Sequence, residues 1–120
     1  MSDTPTSRPV GPYTPVVRAG GWLVVSGQLG LADGRLVDGG VPAELTRAIA
    51  NLAGLLTAEG AGLAAVVKTT VFLTDMADYA AMNEAYAAAF GEHRPARSAV
   101  AVAGLPLGGA VEIEAWAWVG

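Results

Sequence analysis

From Val111 to Val119 the chain alternates with period two. Val111, Ile113, Ala115, Ala117 and Val119 take one side, and Glu112, Glu114, Trp116 and Trp118 take the other. Such alternation predicts a strand with one face on the core. A second alternating run, Trp22 to Gln28, sets Trp22, Val24, Ser26 and Gln28 against Leu23, Val25 and Gly27. Ala32-Asp33-Gly34 reads as a turn and Arg35-Leu36-Val37 as a short returning strand. The period then changes: Leu45, Ile49, Leu52 and Leu56 recur at helical spacing behind Pro42, and Gly60 and Gly62 end that helix. Val66 to Thr74, rich in β-branched residues, predicts another strand. Asp75 is the expected N-cap of a second helix whose buried stripe is Tyr79, Met82, Tyr86 and Phe90, stopped by Gly91. Strands over 98–103 and 110–119 follow, around a turn near Pro106-Leu107. The order βββαβαββ predicts an α+β fold with both helices on one face of the sheet.

Residues 1–120 form a single domain, with 1–12, carrying Pro5, Pro9 and Pro12, as an extended lead-in. Apolar residues make up 52% and charged residues only 15%, leaving little polar material to cover the surface. Self-association resolves that shortage, and the two helix-free tryptophans of the last strand need a cover of the same kind. The net charge is −4 and the seven basic residues are scattered, which argues against a nucleic-acid surface. There is no cysteine, hence no disulfide and no thiolate metal site. The opening residues lack the basic and apolar regions of a secretion signal, so a cytoplasmic location is expected, without a membrane segment.

Few side chains can do chemistry. Arg97 is either a rim salt bridge or a clamp for a carboxylate. Glu112 and Glu114, on an otherwise apolar strand, are either a structural ion pair or acid–base groups. Ser26 offers a hydroxyl, Gly27 leaves room against bare backbone, and Tyr13 carries a phenol on a loop. Asn83 lies beside the second helix's stripe, where it can orient a loop or a ligand. The lone His93 reads as a solvated helix-end charge rather than a metal ligand. If the last two strands form a hairpin, Arg97 lies opposite about Trp116 and Glu112 opposite about Ala101. The separation is then ~13 Å, too far for both to hold one small substrate within a chain. Bringing them together needs loop curvature or a neighbouring subunit, which favours a site between subunits.

The ordered set Gly11-Pro12-Tyr13, Val25-Ser26-Gly27-Gln28, Lys68-Thr69-Thr70-Val71-Phe72, Met82-Asn83-x-x-Tyr86, Pro95-Ala96-Arg97-Ser98 and Val111-Glu112-Ile113-Glu114 resembles the Rid (YjgF) family of enamine/imine deaminases. The resemblance implies a chorismate-mutase-like protomer and a homotrimer with clefts between subunits. It implies cofactor-free hydrolysis of 2-iminopropanoate or 2-iminobutanoate to a 2-oxo acid and ammonia. In that reading Arg97 holds the carboxylate, Glu112 positions or activates water, and Tyr13, Ser26, Gly27, Asn83 and Ala99 shape the pocket. Many members carry a cysteine where this chain has Ala99, so no thiol takes part here. A non-catalytic homotrimer that binds small carboxylates or regulates a client is the alternative. Ribonuclease activity, attributed to some relatives, fits the acidic balance poorly.

Overall fold

The computed structural model describes residues 9–120, and in it every expected element is present. In chain order they are β1 (Val16–Ala19), β2 (Trp22–Leu29), β3 (Leu31–Ala32), β4 (Arg35–Leu36), α1 (Gly40–Ala58), β5 (Val66–Leu73), α2 (Tyr79–Phe90), β6 (Ala96–Ala101) and β7 (Val111–Trp118). One more strand precedes α1 than expected, because β3 and β4 form a separate small ribbon around the Asp33-Gly34 turn. Of the lead-in, residues 1–8 lie outside the described residues, and residues 9–12 belong to no helix or strand. Asp75 does cap, but its carboxylate accepts from the Ala77 N–H of a short 3-10 turn, and α2 proper starts at Tyr79.

The main sheet runs β1-β2-β7-β5-β6, with all pairs antiparallel except β5 and β6. Both helices cover one face. The α1 stripe Leu45, Ile49, Leu52 and Leu56 is completely buried, and it meets Leu23 and Val25 of β2 and Ile113 and Ala115 of β7 in one core. At about 2 kcal/mol per fully buried aliphatic side chain, this stripe rather than intrinsic helix propensity holds α1 in place. On β7 the alternation holds from Val111 to Trp118, with the aliphatic members buried and the tryptophans exposed. Val119 falls past the strand end and is exposed, contrary to its place in the pattern.

One expectation is overturned. β6 and β7 are not a hairpin, because β5 lies between them. A parallel partner requires a crossover, and α2 supplies it from β5 to β6. Arg97 therefore aligns with Thr69 and, through it, with Ala115; Glu112 aligns with Phe72 and then Val100. Residues in one row point to one side of the sheet. Arg97 thus sits on the helix-covered face with Thr69 and Ala115, whereas Glu112 projects from the other face, between the buried Val111 and Ile113.

The junction of β2 and β3 is pinned to α1. Asn51, fully buried, donates from Nδ2 to the Leu31 and Leu29 carbonyls at 3.0 and 3.3 Å, and Arg47 Nε donates to Leu31 at 3.0 Å. Gly30 makes that approach possible: a Cβ there would lie 2.4 Å from the Glu44 carbonyl oxygen. Backbone cannot swing aside as a side-chain tip can. Gly30→Ala is therefore expected to cost about 2–3 kcal/mol and to lower the melting temperature by roughly 10 °C in calorimetry.

Candidate active site

The candidate residues fall into two clusters, one on each face of the sheet. The first is a shallow open cleft lined by Tyr13, Pro15, Ser26, Gly27, Leu29 and Glu112 among others. β2 creates it by a bulge between Val25 and Gln28, which turns Ser26 and Gly27 out of the regular ladder beside β7. Pro15's carbonyl anchors the bulge by accepting from the Ser26 backbone N–H (2.9 Å) and hydroxyl (3.3 Å). The Ser26 hydrogen is thus engaged inside the protomer, leaving its oxygen the role of an acceptor. Tyr13 is exposed, and its phenol oxygen accepts from the Val10 N–H.

Glu112 forms the floor of this cleft. Its neighbours in the ladder are Leu29 and Phe72, and among the described residues no cation pairs with it. Burial pushes its carboxyl above the usual glutamate value, and the negative charge of Glu114 raises it further. The structural ion pair considered for these two glutamates is absent among the described residues. A half-buried carboxylate with a raised proton affinity, and with no cation beside it among the described residues, is better suited than an ordinary glutamate to receive and return a proton.

The second cluster surrounds Arg97. Its Nη1 donates to Asn83 Oδ1 at 2.7 Å and makes a weak 3.5 Å contact with Met82 Sδ, while Nη2 donates to the Tyr79 hydroxyl at 3.0 Å. The guanidinium carbon also lies 5.0 Å from the Tyr86 ring centroid and 5.6 Å from that of Tyr79. No carboxylate touches it among the described residues, so the rim salt bridge is not present there. Nε–H and one Nη2–H remain for a ligand. Tyr86 is itself fixed by a buried 2.7 Å hydrogen bond to Thr69, and burial raises its pKa, so it stays a neutral phenol.

The seven residues singled out in the sequence therefore divide. Tyr13, Ser26, Gly27 and Glu112 meet in the cleft. Asn83 meets Arg97, and Ala99 is half-buried against the core, two residues along β6 on Arg97's face. Three further partners of Arg97, namely Tyr79, Met82 and Tyr86, are expected from the sequence only as core stripe, and Met82 and Tyr86 are indeed buried. Their spacing with Asn83 (i, i+3, i+4, i+7) marks one helix face and was the available signal. Tyr79 corrects that stripe, being 41% exposed. His93 is also corrected: it is partly buried, with Nε2 hydrogen-bonded to the Val66 carbonyl at 2.7 Å. No group of three or more potential metal ligands occurs among the described residues.

Residues 4–119 match the family described as Endoribonuclease L-PSP. A mouse protein named 2-iminobutanoate/2-iminopropanoate deaminase is 44% identical over 117 residues, covering 96% of this chain and 87% of its own. A RutC family protein of Pyrococcus horikoshii is 42% identical over 113 residues, 92% of this chain and 90% of its own. Among solved structures, RidA from an Antarctic Psychrobacter superposes with a TM-score of 0.92 at 38% identity, covering 98% of this chain and 97% of that one. TdcF of E. coli with bound serine gives 0.90 at 32% identity, over 99% and 97%.

Gly27 tests the geometry of the cleft. A Cβ there would come within 2.6 Å of the Glu112 carboxyl carbon and 2.8 Å of Oε1. The obstructing group is the end of a flexible side chain, so Glu112 can rotate away at small cost. Gly27→Ala should leave the melting temperature within a few degrees of wild type. By moving the carboxylate it should reduce catalysis about 100-fold, the scale of losing a well-placed proton-transfer group.

Proposed function

This chain belongs to the endoribonuclease L-PSP, or Rid (YjgF), family, and from that premise we propose that it hydrolyses small reactive 2-imino acids to 2-oxo acids and ammonia. The observation that carries this reading is an Arg97 held by Asn83 and Tyr79, with two donors open and no carboxylate partner among the described residues. Relatives at about 44% identity named as 2-iminobutanoate/2-iminopropanoate deaminases support the same substrate class.

In the proposed reaction Arg97 grips the substrate carboxylate and fixes the imine carbon next to it. Glu112 takes a proton from water as the oxygen attacks that carbon, and the C=N π pair moves onto nitrogen. Glu112 returns that proton to the nitrogen, giving a carbinolamine, and then carries the hydroxyl proton to the amine, so that the C–N bond breaks as the C=O forms and the nitrogen leaves as ammonia. An imine carbon is already electrophilic, so the residues supply orientation and proton transfer, and no cofactor is invoked.

Arg97 and Glu112 face away from each other across the sheet, so one chain cannot bring both to one substrate. The reading therefore needs a second copy, with Arg97 of one subunit opposite the cleft of its neighbour in a homotrimer. The exposed tryptophans on the same face of β7 as Glu112 favour such an assembly: Trp116 and Trp118 pack edge-on against Trp22 with centroids 5.9 and 5.0 Å away, leaving 44% and 49% of their surfaces open. Serine bound to TdcF favours a second reading, a binder of small amino acids without turnover. Ribonuclease activity, despite the family's descriptive name, has no clustered cations to hold phosphates.

Purified protein should accelerate the disappearance of enzymatically generated 2-iminopropanoate, and Arg97→Ala should abolish this. Unaltered decay with wild-type protein present would leave only the binding reading. Mixing refolded Arg97→Ala with Glu112→Gln subunits should restore about a quarter of wild-type activity in a trimer, whereas a site within one chain would restore none.

The pH profile follows from the sign of the Glu112 shift. The base must be ionised, so kcat/KM should fall on the acid side at a pH above the ordinary glutamate value of 4.5. In folding the same shift acts oppositely. The folded carboxyl binds its proton more tightly than the unfolded one, so stability declines as pH rises from 4.5 through the raised value. Glu112→Gln should therefore melt higher than wild type at pH 7 while losing activity.

A further inference from the structure

Two tyrosines flank Arg97 and their hydroxyls are in different states. Tyr86 is buried and its hydroxyl is used by Thr69 at 2.7 Å. Tyr79, at the first position of α2, is 41% exposed, and its oxygen receives the Nη2–H of Arg97 at 3.0 Å. A guanidinium has no acceptor, so in that hydrogen bond the phenol is the acceptor and keeps its own hydrogen to give. Among the described residues no acceptor takes it.

The fixed positions of the other donors say where that hydrogen is useful. Asn83 and Met82 occupy Nη1, and aromatic rings lie near the guanidinium from Tyr79 and Tyr86. What remains of Arg97 is the Nε–H and one Nη2–H, and Tyr79's hydroxyl stands at Nη2 itself. An anion drawn to the open donors comes within reach of the phenol.

We infer that Tyr79 is a substrate-binding residue of this site, donating its O–H to the same carboxylate that Arg97 grips. The clamp then has three donors, two from the guanidinium and one from the phenol. It takes a single small carboxylate such as that of a 2-imino or 2-oxo acid. The assignment rests on the deaminase reading for the identity of the acid, but its content is binding and can be measured without turnover.

The test compares wild type, Tyr79→Phe and Arg97→Ala by calorimetric titration with 2-oxobutanoate and by steady-state deaminase kinetics. Tyr79→Phe keeps the ring and removes only an exposed hydroxyl, so its melting temperature should match wild type. Loss of one hydrogen bond to a charged group should raise both Kd and KM about tenfold, with kcat within about twofold. Wild-type Kd and KM in Tyr79→Phe would overturn the inference while leaving the Arg97 reading intact. A fall in kcat at unchanged KM would also overturn it, since the phenol would then act only through the alignment of Arg97. If wild type neither binds 2-oxobutanoate nor turns over imine, the reading beneath fails and the inference with it.

Discussion

The strict alternation of β7 is the constraint on which the remaining structure depends. This strand lies at the centre of the sheet, between β2 and β5, so both neighbours inherit its register. Its aliphatic set closes the core under the helices, while its glutamates and tryptophans all face the other way. A slip of one residue would bury two carboxylates under α1 and expose four core side chains, an exchange costing far more than a domain's net stability. The register that secures the core therefore also fixes Glu112 on the helix-free face.

The same alternation explains why the chemistry is split. Arg97 must share a face with Thr69, its partner in the parallel ladder, and Thr69 is locked inward by Tyr86. The sheet itself thus stands between guanidinium and carboxylate. The distance along a β6–β7 hairpin, on which the expectation of a site between subunits rests, does not exist, because β5 lies between those strands. Orientation rather than distance is the real obstacle, and it is the stronger one, because no loop curvature brings opposite faces together.

Elements governed by local periodicity were readable: the α1 leucine stripe, the β7 alternation and the stops at Gly60 and Gly91 appear where the residues put them. The pairing of β6 was not, since short apolar strands around a Gly-Pro turn look alike whether they form a hairpin or admit a third strand. What decides between them is the connection: a strand, a helix and a strand in succession favour a parallel crossover pair, here β5-α2-β6. In the site, Tyr13, Ser26, Gly27 and Glu112 could be named from residue type, but the bulge that gathers them could not. Tyr79 was hidden for the opposite reason. Its apolar ring fitted the core stripe, and only the structure showed its hydroxyl at the guanidinium.

Glu112 shows how such a sheet accommodates a half-buried carboxylate. A half-buried carboxylate with a like charge two residues away is unfavourable, and nearby cations would relieve it. A cation held within the protomer would also lower its proton affinity and fix the carboxylate as a permanent anion. Glu112 has no such partner among the described residues, and Gly27 gives up its own side chain to make room for the carboxyl. Arg97 presents the converse case: a cation held by neutral oxygens, a thioether and aromatic rings, with its charge uncompensated among the described residues. Each group lacks the counter-charge that a purely structural role would give it. A substrate carrying a carboxylate at one end and a protonatable nitrogen at the other supplies what both are missing, provided two copies of the chain bring the opposite faces together.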